Sequence, residues 1–217
     1  MIKIENTEVV GWEAAIRGMR NPLNSWDKSD SEFVDVFENA EELRTYYISG
    51  ANIGTNDLDL MTRLANAGTD HAKYRRMITV YVDIVAPLYW WKEFDTYKVG
   101  TVANSCSTMH KIHSKEFTRE DFSCEHLLPN ELDILETIIF SLNWNRKHFI
   151  ASKDKRYWWQ MIQLLPSSYN QRRTVQLNYE VLANMYKSRK THKLDEWREF
   201  CKWVESLPYS ELITGGK

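Results

Sequence analysis

The clearest alternation of apolar and polar residues in this chain lies between positions 77 and 85. Ile78, Val80 and Val82 are β-branched, and polar or aromatic residues separate them. A period of two in β-prone residues predicts a strand that buries one face. Pro87 closes this pattern, and the aromatic segment 88–95 is predicted to continue as a helix. Residues 1–6 also alternate and predict a further strand.

Helical spacing of apolar residues accounts for the other predicted elements. Ser31 is the candidate N-cap of one helix, and Thr55 or Asn56 of the next, which ends at Gly68. A polar loop is predicted at 98–107. The predicted helices are 9–19, 31–49, 57–67, 131–144, 157–165, 173–188 and 194–206. Many helices with one small sheet, and no linker or repeat between them, predict a single α+β domain.

The late helix carries polar residues on an otherwise apolar line. At about 100° per residue, four residues lie near one line on its surface: Asn178, Leu182, Met185 and Arg189. The planar, permanently charged fork of arginine suits a phosphate or a pyrimidine carbonyl. The alternative is a half-buried helix with satisfied amides and a surface arginine. Periodicity alone favours this alternative.

Composition limits the class of protein. A net charge of −2 over 217 residues argues against a general nucleic-acid binder, although a basic pocket for one small anion is compatible with it. The chain has three cysteines, Cys106, Cys124 and Cys201. An odd number without a CxxC pair is typical of reduced thiols in the cytoplasm. Without a signal-peptide run or an apolar span, the sequence predicts a soluble protein with no membrane partner. Nine Trp and eleven Tyr indicate a ring-rich core or a subunit interface.

Several catalytic motifs are set aside. The glycines of 50–55 lack the lysine of a phosphate-binding P-loop, and no GxGxxG is present. His110 and His113, followed by Glu116, invite a metal site, but no HExxH pattern fixes them on a helix. Ser105 and the neighbouring Cys106 near His110 lack the strained glycine elbow of a nucleophile. Hydroxyls in such loops mostly serve turns and caps.

Two blocks of this sequence, in this order, resemble the flavin-dependent thymidylate synthases. The first, 80–94, has the family's strand, an Ala-Pro step and an aromatic helix, preceded at 67–71 by a Gly-containing turn that ends in His71. The second reproduces the spacing of the family's last motif with Leu165, Pro166, Asn178, Leu182, Asn184 and Arg189. His192 falls one residue before a family histidine. The order of elements agrees over roughly 11–205.

The resemblance implies a fold, a reaction and site residues. The fold is a helix-rich domain on a small, mainly antiparallel sheet. The reaction is reductive methylation of dUMP to dTMP, with FAD as cofactor, NADPH as reductant and methylenetetrahydrofolate as carbon donor. The family is homotetrameric, and each site takes residues from several subunits. By this resemblance, Arg189 is the candidate catalytic residue and contacts the nucleotide substrate, which Ser105 and Ser107 also contact. The residues that it assigns to the flavin are Asn178, Asn184, His71, His192 and Lys98.

This chain departs from the family pattern at charged positions. Thr96-Tyr97-Lys98 stands at the family's R-H-R, the N-E-x-S element is Asn-Ser-Cys-Ser at 104–107, and Glu180 replaces an arginine. Each lost charge-assisted contact costs on the order of 1.5–3 kcal/mol. Cations that could compensate are Lys92, Lys98, Arg172 and Arg173.

These departures leave two hypotheses open. One is an active flavin enzyme with a diverged signature, which the retained polar residues of the late block favour. The other is a nucleotide-binding or structural homologue that has lost the flavin chemistry, which the altered signature favours. An enzyme of another class has no residue that argues for it.

Overall fold

The computed structural model of the chain describes residues 2–36 and 48–215. Its strands are β1 (Lys3–Val10), β2 (Glu32–Val36), β3 (Ile48–Asn52), β4 (Thr79–Pro87), β5 (Val102–Ser105) and β6 (Asn170–Asn178). Its helices are α1 (Trp12–Arg20), α2 (Thr55–Asn66), α3 (Leu88–Phe94), α4 (Pro129–Ser152), α5 (Lys155–Leu164), α6 (Tyr179–Arg189), α7 (Asp195–Glu205) and α8 (Glu211–Thr214). The prediction of an α+β fold is confirmed.

The main sheet has the strand order β1-β4-β6-β5, and every pair in it is antiparallel. β4 forms its centre: Val80 lies opposite Leu177 of β6, and Ile84 lies opposite Ile4 of β1. β5 is an edge strand beside β6. The implied small antiparallel sheet is therefore confirmed, together with the strands predicted at the start of the chain and at 77–85.

One face of this sheet is buried because apolar residues occupy alternate positions of β4 and β6. Val80, Val82 and Val175 are at most 1% exposed. A group of large rings from α3 and α7 belongs to the same core, namely Trp90, Trp91, Phe94, Trp197 and Phe200. Each such ring buries about 150–250 Å², and together these rings supply much of the favourable free energy of folding.

A second apolar cluster lies between α4, α5 and the segment that precedes them. Its buried residues are Ile112, Phe117, Phe122, Leu135, Ile139, Leu142 and Met161. It does not include the rings of the main core. The single domain expected from the sequence stays a prediction.

Several predicted boundaries are wrong because β structure replaces helix or loop. Residues 173–178, assigned to a helix, belong to β6, where Val175 and Leu177 alternate with polar neighbours. The predicted loop at 98–107 contains β5. Within the predicted helix 31–49, Glu32–Val36 and Ile48–Asn52 form an antiparallel pair, and 37–47 lie outside the described residues.

The first predicted helix begins later than expected. Val9 and Val10 end β1, and α1 begins at Trp12 after Gly11, whose φ is +94°. A Cβ at Gly11 would lie 2.1 Å from the carbonyl oxygen of Met77. Glycine is therefore required both by its positive φ and by this close approach, and it ends the strand.

The other face of the main sheet carries a polar network around Asp83. Its carboxylate accepts hydrogen bonds from Thr174 Oγ1 at 2.6 Å, Arg172 Nη2 at 2.7 Å and Asn6 Nδ2 at 2.9 Å. The bonds from Thr174, Arg172 and Asn6 lower the pKa of Asp83 to about 2. The network connects β1, β4 and β6.

We expect Asp83→Asn to reduce the free energy of unfolding at neutral pH but not in strong acid. The depressed pKa means that the carboxylate stabilises the fold above its unfolded pKa, near 3.8, and that this stabilisation is lost as the pH falls through about 2. Urea unfolding of both proteins across this range measures the difference. Asp59→Asn, at an exposed pair with Arg63, is the control with little effect. A destabilisation that persists in strong acid would contradict the electrostatic explanation.

Candidate functional site

The candidate site surrounds the segment from the end of α3 to the residues after β5. A cavity of about 370 Å³ lies at the start of β5, and its lining comprises Phe94, Asp95, Tyr97, Lys98, Thr101 and Ala103. A larger cleft of about 660 Å³ lies beyond the end of β5. β5 is exposed along its length. An exposed edge between two concave surfaces is accessible to a small ligand or to another chain.

Arg189, the candidate nucleotide contact, lies at the end of α6 and reaches the end of α3. Its Nη1 donates to Glu93 Oε2 at 2.5 Å, and its Nε donates to the Tyr97 hydroxyl at 2.9 Å. The guanidinium lies 4.8 Å from the ring centre of Trp197 and 5.5 Å from that of Tyr97. The side chain is 18% exposed. Arg189 is thus held between two rings with its charge balanced by Glu93.

The Glu93 carboxylate collects further donors. Oε2 also accepts from Trp197 Nε1 at 3.0 Å and lies 3.4 Å from His192 Nε2. His192 Nδ1 accepts from the backbone N–H of Leu194 at 3.2 Å. We call Glu93, Tyr97, Arg189, His192 and Trp197 the Glu93 cluster.

Asn178 is the N-cap of α6, with extended backbone, and is not on the helix surface as predicted. Its Oδ1 accepts from Val181 N–H at 2.9 Å. Its Nδ2 faces Gly100, where a Cβ would come within 2.7 Å of it. Gly100 has φ +78°, so the loop depends on glycine here for both conformation and space. The amide therefore adjoins the loop that follows Thr96, Tyr97 and Lys98.

The structure separates the other predicted flavin contacts. Lys98 lines the smaller cavity next to Tyr97. Asn184 is exposed on α6. His71 lines a different cavity, formed with Met19 of α1, Leu64 of α2 and residues of the segments 22–23 and 70–77. Arg189 and Asn178, at the two ends of α6, therefore contact Tyr97 and Gly100 of the loop that also holds Lys98. His192 lies near Glu93, Asn184 is exposed on α6, and His71 lines a different cavity.

Of the two serines assigned to the substrate, Ser105 is the last residue of β5 and Ser107 follows it by two positions. Ser105 pairs with Arg173 of β6. Ser107 lines the larger cleft, and its Oγ accepts from the backbone N–H groups of Met109 and His110. The hydroxyl hydrogen of Ser107 can therefore be donated to a ligand.

Of the four cations that the sequence offers in place of the missing arginines, Arg172 and Arg173 already have partners. Arg173 Nη1 lies 2.6 Å from Asp95, and its guanidinium lies 4.1 Å from the ring centre of Trp91. Arg172 pairs with Asp83. Lys92 and Lys98 are exposed. A flexible lysine is a point charge and does not replace an arginine fork.

Sequence reasoning missed Glu93, Tyr97 and Trp197 as parts of the site. Tyr97 has a role that the sequence did not predict, since its hydroxyl and ring contact Arg189. Glu93 is in the last turn of α3, whereas Tyr97 lies three residues beyond its end, so helical spacing does not relate the two. The sequence offered no signal for Trp197 either, because its position depends on how α7 packs.

Neither a metal centre nor a membrane span emerges from the described part of the chain. No three His, Cys, Asp or Glu side chains among residues 2–36 and 48–215 are grouped so that they could hold a metal ion, and His110 and His113 are in no such group. In the same residues, no helix has the length and apolarity needed to cross a bilayer.

The fold that positions this site is that of the flavin-dependent thymidylate synthases. Two crystal structures of thymidylate synthase X (ThyX) from Helicobacter pylori, both with FAD and dUMP, superpose on the chain with TM-scores of 0.70 and 0.68. The first superposition covers 99% of this chain and 98% of the ThyX chain, and the second covers 98% of each. Both ThyX chains are 15% identical in sequence to this chain. No protein-family model and no curated protein matches the sequence.

Proposed function

We propose that the chain is a diverged flavin-dependent thymidylate synthase, which binds dUMP beside residues 97–100 and converts it to dTMP. The observation that carries this proposal is the position of Arg189 and Asn178. The resemblance assigns them to nucleotide and flavin, and both adjoin the loop that stands in for the family's R-H-R signature. Similarity to FAD- and dUMP-bound structures over nearly the whole chain supports it.

Arg189 is suited to a neutral acceptor on the nucleotide. Its charge is already balanced by Glu93 at 2.5 Å, so a second anion would meet the repulsion of that carboxylate. A pyrimidine carbonyl adds no charge and can accept from the guanidinium fork. The ring of Tyr97 offers a surface on which a planar base can stack. We therefore assign Arg189 to the base of dUMP.

A flavin site in this fold needs more than one subunit. Of the residues assigned to FAD, Asn178 faces the loop that holds Lys98, whereas His71 lines a different cavity and Asn184 is exposed on α6. We propose that FAD is held by Asn178 and Lys98 of one subunit and by Asn184 or His71 of another in a homotetramer. When bound, FAD supplies the hydride, NADPH reduces it, and methylenetetrahydrofolate supplies the carbon. The protein's part is to bind and orient the two ring systems and to exclude water.

The ion pair between Arg189 and Glu93 also favours a second function. Because Glu93 occupies Arg189 and two signature arginines are replaced, the chain can keep the fold and bind a nucleotide without flavin chemistry. In that case a nucleotide stabilises the protein against heat without turnover.

The visible spectrum of the purified protein, with and without added FAD and dUMP, separates the two functions. An active enzyme shows the absorbance of bound flavin and forms dTMP when methylenetetrahydrofolate and NADPH are added, as measured by chromatography. A colourless protein that takes up no FAD, yet is stabilised by dUMP, supports the binding function and excludes the enzyme.

We expect Arg189→Ala to weaken dUMP binding by ~1–3 kcal/mol, because a charge-assisted contact is lost. Isothermal titration calorimetry measures the affinity. Arg198→Ala is the matched control, since Arg198 lies exposed on α7 and pairs with Asp195. Thermal unfolding of both variants distinguishes lost contact from lost folding. Equal dUMP affinity of a folded Arg189→Ala variant and the parent would place the nucleotide elsewhere.

A further inference from the structure

The helices α4 and α5 pack together as a hairpin, and residues 144–159, which we call the hairpin tip, carry an excess of positive charge. The hairpin tip has one carboxylate, that of Asp154, and five cations, namely Arg146, Lys147, Lys153, Lys155 and Arg156. The whole chain, in contrast, has a net charge of −2. Positive charge concentrated at one end of a hairpin attracts a polyanion.

Three lysines of the hairpin tip have no carboxylate that balances them. Asp154 is taken by Arg156, whose Nη2 lies 2.7 Å from it. Lys147, Lys153 and Lys155 are exposed, and they form no ion pair with any residue in the ranges 2–36 and 48–215. Their ammonium groups are therefore available to the phosphates of a ligand.

The segment 109–116 packs against the hairpin tip and brings further charges to it. Arg146 Nε donates to the carbonyl oxygen of His113, and Trp158 Nε1 donates to that of Met109, both at 3.0 Å. The charged residues of this segment are Lys111, Lys115, which pairs with Asp121, and Glu116. Burial lowers the pKa of His113, and the charges of Lys153 and Lys111 lower it further. The balance on this side is therefore also positive.

Exposed aromatic rings lie among these cations. Trp144 is 47% exposed, and its ring centre lies 3.8 Å from that of His148 at an interplanar angle of 31°. The Tyr157 ring of α5 lies 5.1 Å from His148 and 5.7 Å from Trp144. Trp159 adds another exposed ring on α5. Rings of this kind beside free lysines suit a single-stranded nucleic acid, whose bases stack while its phosphates meet the cations.

The distribution of charge along α4 favours a single strand over an anionic membrane. The first half of the helix carries three exposed carboxylates, those of Glu131, Asp133 and Glu136. A flat anionic surface that lies along α4 would be repelled by them. At 1.5 Å per residue, Glu136 is roughly 16 Å from Lys147, so a strand that crosses the hairpin tip avoids these carboxylates.

We propose that the hairpin tip binds single-stranded nucleic acid, with phosphates on Lys147, Lys153 and Lys155 and a base stacked on Trp144. The proposal goes beyond the proposed function, because it requires neither FAD nor turnover. It also concerns a part of the chain other than the Glu93 cluster.

Fluorescence anisotropy of a labelled oligothymidylate measures binding to the full chain. We expect affinity that falls as salt is added, and weaker binding of a duplex of the same length, because its bases are already stacked. Saturating dUMP should leave the affinity unchanged. Absence of binding at low salt overturns the proposal, and so does equal binding of the duplex. Competition by dUMP would place the strand at the nucleotide site instead.

Lysine variants locate the phosphates. Lys147→Gln, Lys153→Gln and Lys155→Gln should each reduce the magnitude of the slope of log affinity against log salt by roughly 0.7, the value for one phosphate contact of a single strand. Lys28→Gln removes an exposed lysine outside the hairpin and is the control for net charge. If the control changes the slope as much as the other variants do, the hairpin tip is not the site.

A tryptophan variant tests the stacking. Trp144→Ala is expected to weaken binding of oligothymidylate about tenfold or more without changing the salt slope. Trp26→Ala is the matched control, because Trp26 is 52% exposed and lies outside the hairpin. Thermal unfolding verifies that both variants fold. Equal affinities of the two variants would mean that no base stacks on Trp144.

Two measurements test other occupants of the hairpin tip. Co-sedimentation with phosphatidylserine vesicles should show no binding, and sedimentation velocity should show the same oligomeric state for Trp144→Ala and the parent. Binding to vesicles but not to oligothymidylate would make the surface a membrane contact. A smaller assembly of Trp144→Ala would make it an interface between copies of the chain. Either result overturns the proposal.

Discussion

Replacing Arg20 with alanine is expected to destabilise the folded chain by about 3–5 kcal/mol, because one partner of a buried ion pair is removed. Arg20 Nε donates to Asp57 Oδ1 at 2.6 Å, and the two side chains are 4% and 0% exposed. Oδ2 of Asp57 accepts from the Ser29 and Ser31 hydroxyls at 2.7 Å each. The pair connects α1 and α2 to the segment before β2. Without Arg20, the charged Asp57 stays buried without its counterion.

Arg17→Ala is the matched control for this prediction. Arg17 lies on the same helix, and its pair with Glu13 is more than half exposed on both sides. Exposed pairs of this kind contribute about 0–1 kcal/mol. Urea unfolding monitored by circular dichroism gives the free energy of unfolding for both variants. If Arg20→Ala costs no more than Arg17→Ala, the buried pair does not stabilise the fold.

The pH dependence of this effect has a definite sign. Burial acts to raise the pKa of Asp57, but hydrogen bonds from Ser31, Ser29 and Arg20 oppose it, and the net result is a lowered pKa. The stabilisation by Asp57 is therefore present above its unfolded value of 3.8 and is lost as the pH falls through the lower folded pKa.

Replacing Trp197 with alanine is expected to cost about 3–5 kcal/mol, since it opens a cavity at the centre of the aromatic core. Trp197 is 0% exposed, and its ring centre lies 4.7 Å from that of Trp90 and 5.5 Å from that of Phe200. Its Nε1 also donates to Glu93, and Arg189 lies over its ring. The same substitution should therefore weaken dUMP binding through Arg189.

Two further variants separate these effects. Trp203→Ala, on the same helix, removes a partly buried ring and should cost less. Trp197→Phe keeps most of the ring but removes the N–H that Glu93 accepts. Thermal unfolding should show a smaller loss of stability for each of these two variants than for Trp197→Ala. Calorimetry measures their affinity for dUMP. A Trp197→Ala variant as stable as the parent would mean that the core does not depend on this ring.

The Glu93 cluster leaves no isolated charge on the Arg189 guanidinium. In this chain a tyrosine hydroxyl and a carboxylate take the Arg189 guanidinium, and the same carboxylate accepts from Trp197. A buried guanidinium without such partners would be costly. A nucleotide that approaches Arg189 therefore meets a group that is oriented and already neutralised.

The sequence predicted elements whose pattern is local. β4 was predicted because its alternation is continuous over a whole strand, and α7 because its apolar residues recur at helical spacing. β6 was missed because its alternation runs directly into the helical spacing of α6. Asn178 lies at that junction, so its side chain caps a helix whose start was predicted six residues too early.

By itself the sequence determined the central strand, the aromatic helix after it and the similarity to a flavin-dependent fold, since these depend on neighbouring residues. Only the tertiary structure decided that Glu93 pairs with Arg189, 96 residues later, and that Lys3 faces the same cleft as Lys111. Such partners are set by how strands and helices pack. Residue spacing along the chain carries no record of that packing, because charge and hydrogen-bonding capacity are local properties whereas proximity is not.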